Sequence, residues 1–168
     1  MKNIIKTKNL VLKEMKELDI DNLCEILMNK EVSETYMLPI FYSIDDALKL
    51  ANSLINKSKL DTYFLCGIFL DDKLIGFVNE VLKDEKEIEL GYVINPIYKN
   101  KGYATEALKA SINYLFSKGY EFIKTGYFEE NIASMRVMEK SGMKKINESE
   151  EIEYRDKLHK CYYYGISK

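Results

Sequence analysis

A mixed α+β fold, built on one mostly antiparallel sheet with a single parallel strand pair, is predicted by three observations. Three apolar runs of strand length follow one another across short polar turns between residues 63 and 94, the pattern of an antiparallel meander. The apolar period then changes. Ile88, Leu90, Tyr92 and Ile94 alternate as in a half-buried strand, whereas Ala104, Ala107, Leu108, Ser111, Ile112 and Leu115 recur at helical spacing. A strand-like run, Phe122-Ile-Lys-Thr-Gly-Tyr-Phe128, follows that helix, and strands joined by a helical crossover run parallel.

In chain order, residues 8–13 (Lys-Asn-Leu-Val-Leu-Lys) read as a short first strand. Residues 19–29 read as a helix with Ile20, Leu23, Cys24, Ile26 and Leu27 on its apolar side and Asp19 as the expected N-cap. Residues 31–42 have no clear period. Tyr36, Met37, Leu38, Pro39, Phe41 and Tyr42 make them an aromatic-rich loop that either covers the core or walls a binding pocket. Ser43, with Asp46 three residues on, caps a second helix reaching about Lys57. Strands follow over residues 63–70 and 74–82, joined at Asp71-Asp72, and the polar turn 83–86 leads into the central strand, which Asn95-Pro96 stops. The long helix ends at Gly119, with Lys118 in its last turn. After residues 122–128 a helix runs from Asn131 to Ser141 and stops at Gly142. The remainder is a hairpin with a polar strand within residues 144–154, a turn at 155–157 and a return strand over 158–166.

A chain of 168 residues, 46% of them hydrophobic, is expected to form one domain over residues 1–168. The net charge of −2, with both signs interspersed, gives no bulk attraction to nucleic acid and tolerates a cationic substrate. Cys24, Cys66 and Cys161 are odd in number and lack C-x-x-C spacing, so they read as reduced, mostly buried thiols. The single histidine, His159, and scattered cysteines have no metal-ligand spacing, and no metal is expected. No run approaches the ~18 apolar residues of a membrane span, and the N-terminal residues lack a long apolar core. A cytoplasmic protein, monomer or homodimer, is expected.

The strand–loop–helix unit at the centre has phosphate-binding chemistry. A helix N-terminus presents unpaired N–H groups and partial positive charge. In the loop Lys99, Asn100, Lys101, Gly102, Tyr103, Ala104, Thr105, the glycine permits close approach of a diphosphate, the lysines add charge and the threonine a hydroxyl. An ordinary turn with solvated lysines fits these residues equally well. Neither G-x-x-x-x-G-K-[ST] nor G-x-G-x-x-G is present, which argues against nucleotidases and dinucleotide enzymes.

Lys99-x-x-Gly102-x-Ala104 resembles the acetyl-CoA loop of the GNAT acetyltransferase superfamily, [Gln/Arg]-x-x-Gly-x-[Gly/Ala]. Asn131-Ile-Ala-Ser134-Met-Arg-Val137-Met-Glu139-Lys140-Ser-Gly142-Met143 resembles its second motif, in the form typical of the ribosomal-protein N-terminal acetyltransferase branch. The resemblance implies helices on both sheet faces and a parallel strand pair that splays to admit acetyl-CoA. It further implies transfer of acetyl to a primary amine, either a protein N-terminus or a small amine; a non-catalytic acyl-CoA-binding or sensing domain is the alternative.

By resemblance, the 99–105 loop holds the diphosphate, and the backbone of Tyr92, Val93 and Ile94 pairs with the pantetheine amides and polarises the thioester carbonyl. Asn131 reads as an N-cap from its own position and as a pantetheine ligand by resemblance. Ser134 is an ordinary first-turn serine, or by resemblance the general acid for the departing thiolate. The tyrosine used more widely in the superfamily is Met138 here. The base is sought among Glu80, Glu89 and Glu153, with Glu153 slightly ahead because it matches a glutamate proposed as base in that branch; each also reads as a solvated strand residue. Lys99 stands where the family has Arg or Gln, keeping charge but losing the planar fork, and Met143 where it has Phe.

Overall fold

A computed structural model describes residues 4–168. Its strands form one eight-stranded sheet in the order β1-β2-β3-β4-β5-β6-β8-β7, comprising β1 (Ile5–Lys6), β2 (Val11–Lys13), β3 (Leu65–Leu70), β4 (Lys73–Lys83), β5 (Glu87–Ile94), β6 (Phe122–Phe128), β7 (Lys144–Tyr154) and β8 (Lys157–Ser167). The expected meander is β3-β4-β5, and all pairings are antiparallel except β5 with β6. Helices α1 (Ile20–Leu27), α2 (Lys30–Thr35), α3 (Ile44–Ser58), α4 (Tyr103–Ser117) and α5 (Ile132–Lys140) complete the fold. No helix of the described residues is long and apolar enough to cross a membrane.

Alternation along the central strands feeds two cores. Ile88 and Leu90 of β5 pack with Ala107, Leu108, Ile112 and Leu115 of α4 and Met138 of α5. Val93 of β5 packs on the other face, with Phe77, with Leu23, Ile26 and Leu27 of α1, and with Ala51 and Ile55 of α3. Burying each such side chain contributes about 1.5–3 kcal/mol, which outweighs the weak propensities of these short helices and puts them on both faces.

Several local expectations change. Lys8 and Asn9 lie outside any strand: Thr7 and Asn9 instead bond the Glu106 carboxylate of α4, Thr7 Oγ1 donating at 2.6 Å and the Asn9 N–H at 2.7 Å. Asp19 stands at the N-cap of α1 as expected, but its side chain makes no capping bond to that helix. It closes a 3₁₀ turn, its carboxylate accepting the Lys16 N–H at 2.7 Å, so the helix begins at Ile20. The supposed loop over residues 31–42 opens with α2, which Asn29 caps by accepting the N–H groups of Glu31 and Val32. The sequence scan missed it because six residues are under two turns, too few to show a period. Ser43 caps α3 as expected, accepting the Asp46 N–H at 3.3 Å while Asp46 accepts that of Tyr42. Gly119 and Gly142 end their helices with φ of 101° and 88°, conformations that cost any residue with a Cβ.

The ladder between β5 and β6 is short. Its register runs Glu87↔Phe122, Ile88↔Ile123 and Glu89↔Lys124 and then stops. Beyond it β5 continues against β4 and β6 against β8, so residues 90–94 and 125–128 diverge. This splay positions the site.

Candidate active site

A cavity of about 660 Å³ opens at the splay, within the usual size of a small-molecule site. Both parities of β5 line it: Leu90, Tyr92 and Ile94 on one side, Glu89, Gly91 and Val93 on the other. Since alternate side chains point to opposite faces, the cavity passes through the sheet. On the α4/α5 side it is lined by Lys99, Asn100, Gly102, Tyr103, Ala104, Thr105, Asn131 and Ser134, which brings together nearly all the residues singled out by the two motifs. Lys101 lies outside the lining, with its Nζ 5.7 Å from the Tyr98 ring centre.

Local backbone geometry builds the anion-binding end. Asn100 and Gly102 have φ of 60° and 81°, turning the chain so that Gly102 is the residue before α4 and its carbonyl accepts the Glu106 N–H. The N–H groups of Tyr103, Ala104 and Thr105 therefore precede the first intrahelical bond. A Cβ built on Gly102 meets nothing within 4 Å, so the space over this loop is open to a ligand. Lys99 forms an ion pair with Glu31 of α2, tying the loop to the opposite side of the cavity mouth.

At the start of α5, Asn131 caps the helix by accepting the Ser134 N–H at 3.2 Å, which leaves its amide N–H groups for other partners. Ser134 is held from below: its Oγ lies 2.7 Å from the Tyr92 hydroxyl, and that hydroxyl also reaches the Ser134 carbonyl at 3.1 Å. Burial pushes the Tyr92 phenol well above its ordinary range, so it stays protonated. Met138 is fully buried in the core and leaves no room for a phenol from that position.

The other side of the sheet has different chemistry. Tyr36 and Met37, from the segment after α2, line the cavity there with Val81, Leu82, Glu150, Ile152, Cys161 and Tyr163. Gly91 makes room for this wall, since a Cβ on it would come within 3.2 Å of the Tyr36 ring. Leu38 is buried and Phe41 packs on the core, so the aromatic-rich segment serves both of its expected roles. Tyr154 of β7 secures it, accepting the Leu38 N–H at 3.1 Å and donating to the Ser33 carbonyl at 2.6 Å.

Of the three glutamates considered as base, only Glu89 lines the cavity. Its side chain is 11% exposed, and Lys124 Nζ lies 3.9 Å away while bonded to Glu148 at 2.5 Å. Burial raises the Glu89 carboxyl above its usual value; Lys124 opposes that shift, and Glu148 and Glu150 add to it. Glu80 is buried and occupied, accepting the Phe64 N–H at 2.6 Å and bonding Lys83 Nζ at 3.0 Å, outside the lining. Glu153 is exposed and also outside it. The neighbours Ile152 and Tyr154 turn toward the cavity and the Phe128–Cys161–Tyr163 cluster, and strand alternation sends Glu153 the opposite way. Of the three, the structure thus brings Glu89 and not Glu153 to the cavity.

Glu150, which sequence reasoning passed over, accepts a hydrogen bond from Tyr163 beside the cavity. Its signal was the shared parity of Glu150, Ile152 and Tyr154, obscured because most of β7 is polar. His159 is buried, stacked on Phe128 at 4.5 Å and bonded through Nδ1 to Glu130 at 2.6 Å, a structural role. The three cysteines are buried and form no disulfide, and among the described residues no cluster of potential ligands could hold a metal ion.

A family model described as an acetyltransferase (GNAT) domain matches residues 9–144. The uncharacterized N-acetyltransferase YnaD of Bacillus subtilis (strain 168) is 34% identical over 146 residues, covering 84% of this chain and 82% of YnaD. Among solved structures, a GNAT-family acetyltransferase from Bacillus anthracis superposes with a TM-score of 0.85 at 26% identity, covering 98% of each chain. RimL, a ribosomal L7/L12 alpha-N-protein acetyltransferase in complex with coenzyme A, also superposes at 0.85 over 98% of each chain, but at 15% identity this is likeness of fold alone. With the matched model spanning most of the chain, and the loop, splay and helix of both motifs meeting in one cavity, this chain belongs to the GNAT family of N-acetyltransferases.

Proposed function

We propose that this chain transfers acetyl from acetyl-CoA to a primary amine by direct attack in a ternary complex, the two substrates entering from opposite faces of the sheet. The observation that carries this reading is the two-sided opening at the splay, with a helix N-terminus on one face and a half-buried carboxylate on the other. The N–H groups of Tyr103, Ala104 and Thr105 suit a diphosphate, with Lys101 and, once it leaves Glu31, Lys99 as counter-charges. The strand edge of Tyr92, Val93 and Ile94, without a ladder partner on the β6 side, suits the pantetheine amides, with the Asn131 amide opposite. That RimL, a neighbour of the same fold, is in complex with coenzyme A supports coenzyme A as the ligand.

The amine arrives beside Glu89 and Glu150, under a rim that includes Met37, 51% exposed, and Leu82, 67% exposed. Carboxylates favour a cation and the rim favours hydrocarbon, so the acceptor is an amine carried on an apolar body. Glu89, directly or through water, takes the amine proton; nitrogen attacks the thioester carbon, forming C–N as C–S breaks; the thiolate takes its proton from the Ser134 hydroxyl, which regains one from solvent as Glu89 releases the amine's. The raised carboxyl makes Glu89 a stronger base than a solvated glutamate.

A thiol-release assay with acetyl-CoA tests this against phenethylamine, spermidine and a tetrapeptide with a free α-amino group. Phenethylamine or the peptide should be acetylated in preference to spermidine. Release with none of them, by protein that binds coenzyme A tightly in calorimetry, would remove the amine assignment.

A further inference from the structure

We infer that the Tyr92 phenol is a positioning residue for leaving-group protonation, holding Ser134 so that the serine's own O–H is aimed at the sulfur of coenzyme A. The inference rests on the reading of Ser134 as the acid, and goes beyond it by giving that serine a partner from another element. A serine in the first turn of a helix ordinarily turns its hydroxyl back on nearby backbone, where it is no donor to a ligand. Here the Oγ sits instead 2.7 Å from a phenolic oxygen of β5.

The available hydrogens allow two directions. The pair Tyr92–Ser134 has two hydroxyl hydrogens and, within it, one short O···O contact to fill. If Tyr92 donates to Ser134 Oγ, the serine proton is released toward the cavity both residues line. If Ser134 donates to Tyr92, the phenol proton goes to the Ser134 carbonyl at 3.1 Å and the serine proton is withheld. Thiolate formed beside Ser134 favours the first arrangement, since a charge-assisted hydrogen bond is about twice as strong as a neutral one. The pair can therefore change direction without any side-chain rotamer moving. Both contacts of the Tyr92 hydroxyl are to Ser134, 2.7 Å to its Oγ and 3.1 Å to its carbonyl, so the phenol acts on the serine and orients it.

The test needs no acceptor. Coenzyme A is bound to the protein and its thiol titrated by the ultraviolet absorbance of the thiolate, as a difference against protein alone. In the wild type the bound thiol should titrate below the thiol of free coenzyme A measured in the same way. Ser134→Ala should raise it by about one unit, a tenfold fall in thiolate fraction. Tyr92→Phe should raise it by at least half as much, and the double variant should equal Ser134→Ala, because the phenol acts only through the serine. Calorimetric affinity for coenzyme A, expected within a few-fold in all three, checks that the variants are folded. An unchanged thiol in Tyr92→Phe, or additive effects in the double variant, would overturn the inference while leaving Ser134 as the acid. An unchanged thiol in Ser134→Ala would overturn that reading, and this one with it.

Discussion

Replacing Glu89 by glutamine removes the one sequence-nominated carboxylate that lines the cavity, and the structure allows the outcome to be worked through. Positioned general bases contribute about 10²–10⁴ in rate, or roughly 3–5 kcal/mol of barrier. The low end applies here, because Glu150 borders the same cavity and can partly substitute through water. A loss of about a hundredfold in kcat/KM is expected. Folding should survive: Lys124, the cation near Glu89, keeps its 2.5 Å bond to Glu148 and is not left unpaired. Burial raises the folded carboxyl above its unfolded value, so its protonated form is the one folding favours, and that stabilising contribution is lost as pH rises through the folded value. The glutamine variant should therefore melt no lower than wild type at pH above that value, separating lost activity from lost fold. The assay is kcat/KM against pH for a peptide whose α-amino group titrates at ~7.7–8.0. Wild type should lose activity in two steps as pH falls, the amine first and then Glu89, at a pH above the ordinary carboxylate range. The variant should keep only the amine step, with the deficit shrinking at high pH. Activity within threefold of wild type and an unchanged lower step would refute Glu89 as base; loss of that step in Glu150→Gln would move the role to β7.

Three further outcomes follow from the same geometry. Gly102→Val should weaken acetyl-CoA binding at least tenfold by calorimetry, because φ of 81° is strained for a β-branched residue and the added methyls fill space now open above the loop. Glu31→Gln should free Lys99 and tighten acetyl-CoA binding about two- to threefold at low salt, an effect that fades at high salt, as expected of an exposed ion pair worth under ~1 kcal/mol. Tyr154→Phe should raise the KM for the amine several-fold at unchanged acetyl-CoA affinity, since it releases Leu38 and Ser33 on the acceptor side only.

Composition and period were enough to determine the strand–loop–helix unit, the meander, the parallel crossover and the second motif helix, because each depends on local spacing and on which side chains tolerate which backbone angles. Gly102, Asn131 and Ser134 could be marked for the same reason: their roles are set within a few residues of themselves. The choice among glutamates was not local. Glu80, Glu89 and Glu153 all lie in strands, and only the packing of distant elements decided that the first is occupied by Phe64 and Lys83, the second half-buried beside the splay and the third turned to solvent. The same holds for the Tyr92–Ser134 contact, which spans 42 positions of sequence, and for Tyr154 pinning residues more than a hundred positions away. A polar side chain in a strand carries no mark of which neighbour it will meet, since hydrophobic burial aligns the elements and the polar groups then pair with whatever that alignment brings within reach.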